Sequence, residues 1–130
     1  MEKTVSQIIN GISILTMGYF AVPKLLAMPK SVEGFRQFAS VLPVDADLFR
    51  LFTGVSEMGI AILLLYFVIS YKAKIGIAAY LFLLITMLTA LGIEFFVRPK
   101  PEMLLVGIAI VLVLFSIYQI SSLRKTNPLN

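Results

Sequence analysis

The segment LFRLFTGVSEMGIAILLLYFVIS, from Leu48 to Ser70, is long and apolar enough to cross a membrane, yet it contains Glu57 near its middle. A membrane-spanning helix needs about 20 mostly apolar residues. A carboxylate at that depth costs roughly 2.5–3.5 kcal/mol on insertion scales unless it is paired, protonated or hydrated. We therefore interpret this segment as a transmembrane helix with a polar site at Glu57, whose partners should lie at a similar depth.

Charged residues are sparse along the chain and leave four long gaps. Only 14% of the 130 residues are charged, whereas ordinary soluble domains have about 25%. The windows without Asp, Glu, Lys or Arg are 4–23, 58–71, 75–93 and 103–123. We predict four transmembrane helices at about 5–27, 48–70, 75–97 and 103–122, forming one domain over residues 1–130. The first apolar stretch is longer than the core of a cleavable signal, roughly 7–15 residues, so we expect it to be retained as a span.

A short amphipathic segment lies between the first two spans. Its apolar residues recur at helical spacing, with polar residues between them, which is typical of a helix lying in the membrane interface. The apolar positions are Val32, Phe35, Phe38, Ala39 and Leu42. An ordinary loop with some buried aromatic residues is the alternative. The sequence thus predicts an all-α integral membrane protein, a four-transmembrane-helix bundle with one amphipathic interfacial helix between helices 1 and 2. Asp45 or Asp47 is expected to cap the second span.

Several charged residues should meet in one half of the bilayer, because successive spans run in opposite directions. In the second span, small and polar residues fall on the same helical face as Glu57. The candidate residues of a ligand site or polar core are Lys24, Arg50, Thr53, Glu57, Glu94 and Arg98. These residues have three interpretations: the ion pairs Lys24–Glu57 and Glu94–Arg98 that fix helix register, a polar chamber in which Glu57 contacts a ligand, or a surface for a partner subunit.

Aromatic residues cluster near the same interface. They either line a pocket for a flat ring such as a quinone or form the interfacial aromatic belt of a membrane protein, and base frequencies favour the belt. The residues concerned are Tyr19, Phe20, Phe35, Phe38, Phe49, Phe52, Phe95 and Phe96.

The chain contains no cysteine and no histidine. It therefore lacks the residues for a bis-His haem, a thiol redox pair, a Cys-type zinc site or an iron–sulfur cluster. We expect no metal and no intrinsic cofactor; a bound quinone or lipid is the expected non-protein component. No catalytic residue can be assigned, so the sequence leaves open whether the chain is an enzyme. The net charge of +4 is spread over loops and ends, which suggests contact with the lipid bilayer, not with nucleic acid.

The charge distribution also bears on orientation. Both termini share one side with Lys72 and Lys74, and that side has five basic residues against six on the other. If Lys24, Arg50 and Arg98 are drawn into the polar site, they count less toward topology, and the positive-inside rule then favours termini in the cytoplasm.

The order of short motifs resembles the DoxX-like family. These motifs are Gly18-Tyr-Phe-Ala-Val-Pro-Lys-Leu25, Phe35-x-x-Phe38, Leu42-Pro43, the segment Gly54 to Leu65 with Glu57 inside it, and Met87-Leu-Thr-Ala90. Gly59 lies one position earlier than the family pattern would place it, and histidines found in some relatives are missing. The resemblance implies a small four-helix protein of the bacterial cytoplasmic membrane, with Lys24 and Glu57 as a shared polar pair.

Some members of that family are associated with quinone-linked oxidation or with redox and thiol-stress complexes. The resemblance therefore implies an accessory membrane subunit whose redox chemistry resides in a soluble partner. The residues alone leave two alternatives: a protein that binds or transports a small molecule or lipid at Glu57, and a purely structural membrane partner. Small residues at Gly76, Gly107 and Ala109 would also permit a homodimer.

Overall fold

Four of the five helices in the described part of the chain are long and apolar enough to cross a membrane. The computed structural model describes residues 2–97 and 103–126. Its helices are α1 (Glu2–Leu25), α2 (Pro29–Ala39), α3 (Ala46–Ser70), α4 (Ala73–Phe96) and α5 (Met103–Thr126). The candidate spans are Thr4–Leu25, Ala46–Ser70, Ala73–Phe96 and Met103–Lys125. The chain is therefore an all-α, multi-pass membrane protein, as the spacing of its charges predicted.

The helices begin and end near the predicted positions, although α5 extends to Thr126 instead of ending at residue 122, and two further differences are local. Helix α1 ends at Leu25 instead of residue 27, because Ala27 adopts a left-handed φ of 55° and the Met28 amide donates to the Pro23 carbonyl at 3.0 Å. The predicted side-chain cap of α3 is wrong. Asp45 occupies the N-cap position without a side-chain hydrogen bond, and the carboxylate of Asp47 instead lies 3.5 Å from Arg50.

Helix α2 is amphipathic and packs on α3 through aromatic rings. Phe35 and Phe38 are buried, whereas Glu33 and Arg36 are exposed. The Phe35 ring meets the rings of Phe38 and Phe49 edge to face, with centroids 5.1 and 5.2 Å apart. This arrangement suits the ring quadrupoles. It fixes α2 against the start of α3, which confirms the predicted short helix between the first two spans.

The four long helices form a bundle around one apolar core. Helix α1 packs along α3, α3 contacts α4, and α4 packs along α5, while a smaller contact between α1 and α5 closes the ring. Fully buried side chains from all four helices meet in the middle. They include Met17, Ile60, Leu64, Leu83 and Leu112.

Two glycines allow close helix approach within the chain. A Cβ atom at Gly54 would lie 3.0 Å from the Cβ of Lys24, so α3 and the end of α1 are nearly in backbone contact there. A Cβ atom at Gly76 would lie 2.6 Å from the Phe67 ring and 2.8 Å from Leu123. Phe67 and Leu123 of the same chain therefore already pack against Gly76. Of the three residues expected to permit a homodimer, only Gly107 is exposed.

Candidate functional site

An ion pair between Lys24 and Glu57 lies inside the bundle. The Lys24 ammonium is 2.7 Å from a carboxylate oxygen of Glu57, and their side chains are 17% and 5% exposed. Glu57 lies eleven residues after Ala46, about 16 Å along α3 at 1.5 Å per residue, which is close to the middle of that span. The partner predicted for Glu57 is therefore present, and the pair lies at membrane depth.

Lys24 reaches this position by turning its side chain back along α1. Its ammonium donates to the Phe20 carbonyl at 3.2 Å and lies 5.4 Å from the centre of the Phe20 ring. A lysine near a helix end usually extends toward the membrane surface; here it extends the other way. An ammonium group has three N–H donors. Within the described residues, Glu57 and the Phe20 carbonyl use two of them, which leaves one for a ligand.

The ion pair contributes to the wall of a cavity of about 490 Å³. Residues from all five helices line this space, and its apolar part is rich in rings. We call it the aromatic cavity after seven lining residues: Tyr19, Phe20, Phe35, Phe38, Phe49, Phe52 and Phe82. Drug-sized ligands occupy pockets of roughly 300–1,000 Å³ that are mostly apolar with a few polar groups. The aromatic cavity has both properties.

Polar lining groups add hydrogen-bond acceptors. The hydroxyl groups of Thr53, Thr86 and Thr89 donate to the carbonyls four residues earlier, at 2.8, 2.8 and 2.9 Å. Their protons are engaged within the helices, so the oxygen lone pairs are what these threonines offer to the cavity. The carboxylate-bearing Glu94 also lines the cavity and is only 5% exposed. A ligand with one donor and one acceptor group would find partners for both.

The cavity is partly open toward the outer surface of the bundle, where several lining residues are exposed. Phe52 on α3 is 70% exposed, and Phe82 and Ile85 on α4 are 45% and 56% exposed, although all three line the cavity. These residues belong to apolar spans, where the surroundings of an exposed side chain are lipid. A ligand can therefore enter from the bilayer without crossing the membrane surface.

The structure brings together four of the six residues predicted for the site. Lys24, Thr53, Glu57 and Glu94 line the cavity. Arg50 does not: it is 6% exposed, and its guanidinium donates to the Lys24 carbonyl at the end of α1. The Ala27 amide also donates to this carbonyl, at 3.4 Å, so Arg50 adds a second donor in the last turn of α1, where carbonyls lack intrahelical partners. Arg98, together with its expected pairing to Glu94, lies outside the described residues.

The aromatic residues divide between the two expected roles. Six of the eight line the cavity. The remaining two, Phe95 and Phe96, are 52% and 87% exposed and belong to the outer surface of α4.

A second polar cluster was not predicted from the sequence. The Tyr80 hydroxyl donates to the side-chain oxygen of Asn10 at 2.5 Å, and the Gln119 amide donates to the same oxygen at 2.9 Å and to the Ser6 hydroxyl at 2.9 Å. These residues come from α4, α1 and α5, and Asn10, Tyr80 and Gln119 are at most 2% exposed. We call the hydrogen-bonded set of Ser6, Asn10, Tyr80 and Gln119 the Asn10 network. The signal that could have revealed it is the presence of two amide side chains, Asn10 and Gln119, inside apolar spans.

An apolar layer separates the Asn10 network from the aromatic cavity. Met17 lies between Asn10 and Lys24 on α1, Leu83 lies between Tyr80 and Glu94 on α4, and both are fully buried. The cavity therefore reaches about halfway across the bundle from the side where α2 lies.

Residues 2–97 and 103–126 contain no group of three or more His, Cys, Asp or Glu side chains that could hold a metal ion. Comparisons with protein-family models, curated proteins and solved structures found no match. The function is therefore inferred from the residues of the site.

Proposed function

We propose that this chain binds a ring-headed lipid, with a quinone as the leading candidate, and that it serves as an accessory membrane subunit of a quinone-linked redox system. The observation that carries the proposal is the Lys24–Glu57 pair in the wall of an aromatic cavity that opens toward lipid. Aromatic rings stack on a flat head group. The free N–H of Lys24 donates to a quinone carbonyl, and the carboxylates and threonine oxygens accept from a quinol hydroxyl.

The redox chemistry itself is assigned to a partner. The sequence has neither cysteine nor histidine, so the residues that usually hold a haem or an iron–sulfur cluster are missing. A soluble redox protein that docks on the α2 side would meet the ligand at that end of the bundle. The resemblance to DoxX-like proteins supports the same role. The resemblance also supports the proposed location in the bacterial cytoplasmic membrane, and the distribution of basic residues supports termini in the cytoplasm.

Two other roles compete with this one. Transport of a small molecule would need a route past the apolar layer at Met17 and Leu83, both fully buried, so the geometry favours holding a ligand over passing it. A purely structural role would make the ion pair a device for helix register, because buried pairs can specify an arrangement without any chemistry. The experiment below distinguishes the structural role from ligand binding.

The test is ligand retention measured by native mass spectrometry on protein released gently from its membrane. The informative variant is the double substitution Lys24→Met with Glu57→Gln, which removes both charges and keeps the side-chain volumes. Glu57→Gln alone would leave an unpaired lysine in the bundle and destabilise it. We expect the wild type to retain a quinone and the folded double variant to lose it.

The matched control is Glu33→Gln, which makes the same chemical change at an exposed carboxylate on α2. This variant should retain the ligand as the wild type does. A folded double variant that retains as much quinone as the wild type, or a wild type that carries none even when quinone is supplied, would refute the proposal.

A further inference from the structure

An apolar groove runs along the outer surface between α1 and α3. It encloses about 780 Å³. Its lining includes Ile14 and Gly18 on α1 and Ala61 and Leu65 on α3. No Asp, Glu, Lys, Arg, Ser, Thr, Asn or Gln side chain is among the lining residues. Tyr19 has the one polar side chain among the lining residues, and the rest of the groove wall offers contacts to hydrocarbon.

The apolar groove and the aromatic cavity are neighbouring spaces on α1 and α3. Tyr19 and Pro23 line both spaces. From Pro23 the groove extends back along α1 to Ile14, nine residues away, which is about 14 Å at 1.5 Å per residue. A molecule whose head lies near Lys24 can therefore continue past Tyr19 along the outside of the bundle. The two spaces together have a polar end and a long apolar end.

Gly18 keeps the groove open. No atom lies within 4 Å of the position that a Cβ atom would occupy there. The glycine is thus not needed for close helix packing, unlike Gly54, where that position lies 3.0 Å from Lys24. A side chain added at Gly18 would enter the groove without displacing a neighbour.

We propose that the apolar groove holds the hydrocarbon tail of the lipid whose ring lies in the aromatic cavity, so that the ligand is a long-tailed isoprenoid quinone and not a short, water-soluble ring compound. This inference rests on the proposed function. Lipid chains of the bilayer are as apolar as the tail, so the tail is stabilised by close van der Waals packing against the groove and not by removal from water. The groove favours this tail over other lipid chains because the bound ring keeps the tail beside the groove at high effective concentration.

The test compares two probes that share one head group: a long-chain ubiquinone and the analogue with a single isoprene unit. The protein is reconstituted in phosphatidylcholine nanodiscs, and bound quinone is measured after the discs are washed. In Gly18→Leu we expect the long-chain affinity to fall at least about tenfold, because the leucine occupies the path of the tail. The affinity for the single-isoprene analogue should stay as in the wild type, since Gly18 does not line the aromatic cavity.

The matched control is Gly11→Leu on the same helix. Gly11 also has no atom within 4 Å of its Cβ position, and it lines neither the groove nor the cavity. This variant should bind both probes normally. If Gly18→Leu binds the long-chain probe as well as Gly11→Leu does, the tail site is wrong while the ring site stands. If the wild type binds neither probe, the proposed function fails and this inference fails with it.

Discussion

In the Lys24–Glu57 pair, each side chain compensates the buried charge of the other. Removing one partner leaves an uncompensated buried charge, which typically costs about 3–5 kcal/mol. Replacing both with neutral side chains of similar size costs much less. We therefore expect Lys24→Met and Glu57→Gln to lower the free energy of unfolding strongly as single changes. The double variant should recover most of the loss. Thermal unfolding in detergent, followed by circular dichroism, would measure this cycle.

The exposed pair on α2 is the control for that cycle. Arg36 and Glu33 are 3.9 Å apart, and their side chains are 70% and 65% exposed. Exposed pairs contribute about 0–1 kcal/mol, so Arg36→Met and Glu33→Gln should be nearly additive and mild. If the effects of Lys24→Met and Glu57→Gln on the free energy of unfolding were also additive, Lys24 and Glu57 would not stabilise each other as a buried ion pair.

At the residue scale, the sequence predicted which charges lie at the same depth but not how they connect. Glu57 and Lys24 stood out because charges are rare in apolar spans, and the structure joins them at 2.7 Å. Arg50 is on the same face of α3 as Glu57, yet it binds the end of α1. Helical spacing gives a face of the helix. The neighbour that this face meets is decided by packing.

At the scale of the helix, Gly76 controls how closely α4 can approach α3 and α5. A Cβ atom there would lie 2.6 Å from the Phe67 ring and 2.8 Å from Leu123. We expect Gly76→Ala to lower the free energy of unfolding by about 1–3 kcal/mol, the usual cost of overpacking a core. Thermal unfolding of the purified protein would show the effect, and adding Phe67→Leu should relieve part of it.

Gly92 on the same helix provides the matched control. Its Cβ position has no atom within 4 Å, so Gly92→Ala should be neutral or slightly stabilising, because alanine favours the helix more than glycine does. Equal destabilisation by the two alanines would mean that Gly76 does not set the helix distance.

The extent of each helix followed from the sequence because lipid allows only regular, internally hydrogen-bonded spans. Charge-free windows therefore mark the four long helices, and α2 followed from its alternation of aromatic and polar residues. The Asn10 network did not follow. Asn10, Tyr80 and Gln119 are neutral and far apart in sequence, so nothing in their local pattern says that three helices bring them within 3 Å.

At the scale of the whole molecule, the Asn10 network joins α1 to α4 and α5, where few other contacts close the bundle. Hydrogen bonds between membrane helices contribute about 0.6 kcal/mol on average and about 1.7 at most. We expect Tyr80→Phe to lower the free energy of unfolding by an amount in that range. The control is Tyr66→Phe, at a tyrosine that is 49% exposed on α3, which should leave stability unchanged. If Tyr80→Phe and Tyr66→Phe changed the free energy of unfolding equally, the Tyr80 hydroxyl would not stabilise the bundle.

The absence of native cysteine makes the sidedness of the cavity directly measurable. Single cysteines can be introduced at Gln37 on α2, at Lys72 between α3 and α4, and at Ser116 inside α5. Gln37 and Lys72 are exposed at opposite ends of the bundle, and Ser116 is fully buried. In sealed membrane vesicles, a membrane-impermeant maleimide should label Gln37→Cys and Lys72→Cys from opposite sides. It should not label Ser116→Cys until the protein is denatured.

Ser56→Cys then locates the cavity, because Ser56 lines it. The residue lies one turn from Phe52, which is 70% exposed, so a lipid-soluble maleimide should reach it. A quinone bound in the aromatic cavity should slow that reaction, while labelling at Gln37→Cys stays constant. Unchanged reactivity at Ser56→Cys with saturating quinone would place the ligand elsewhere. Labelling of Ser56→Cys by the membrane-impermeant maleimide from the same side as Lys72→Cys would contradict a cavity in the α2 half of the membrane.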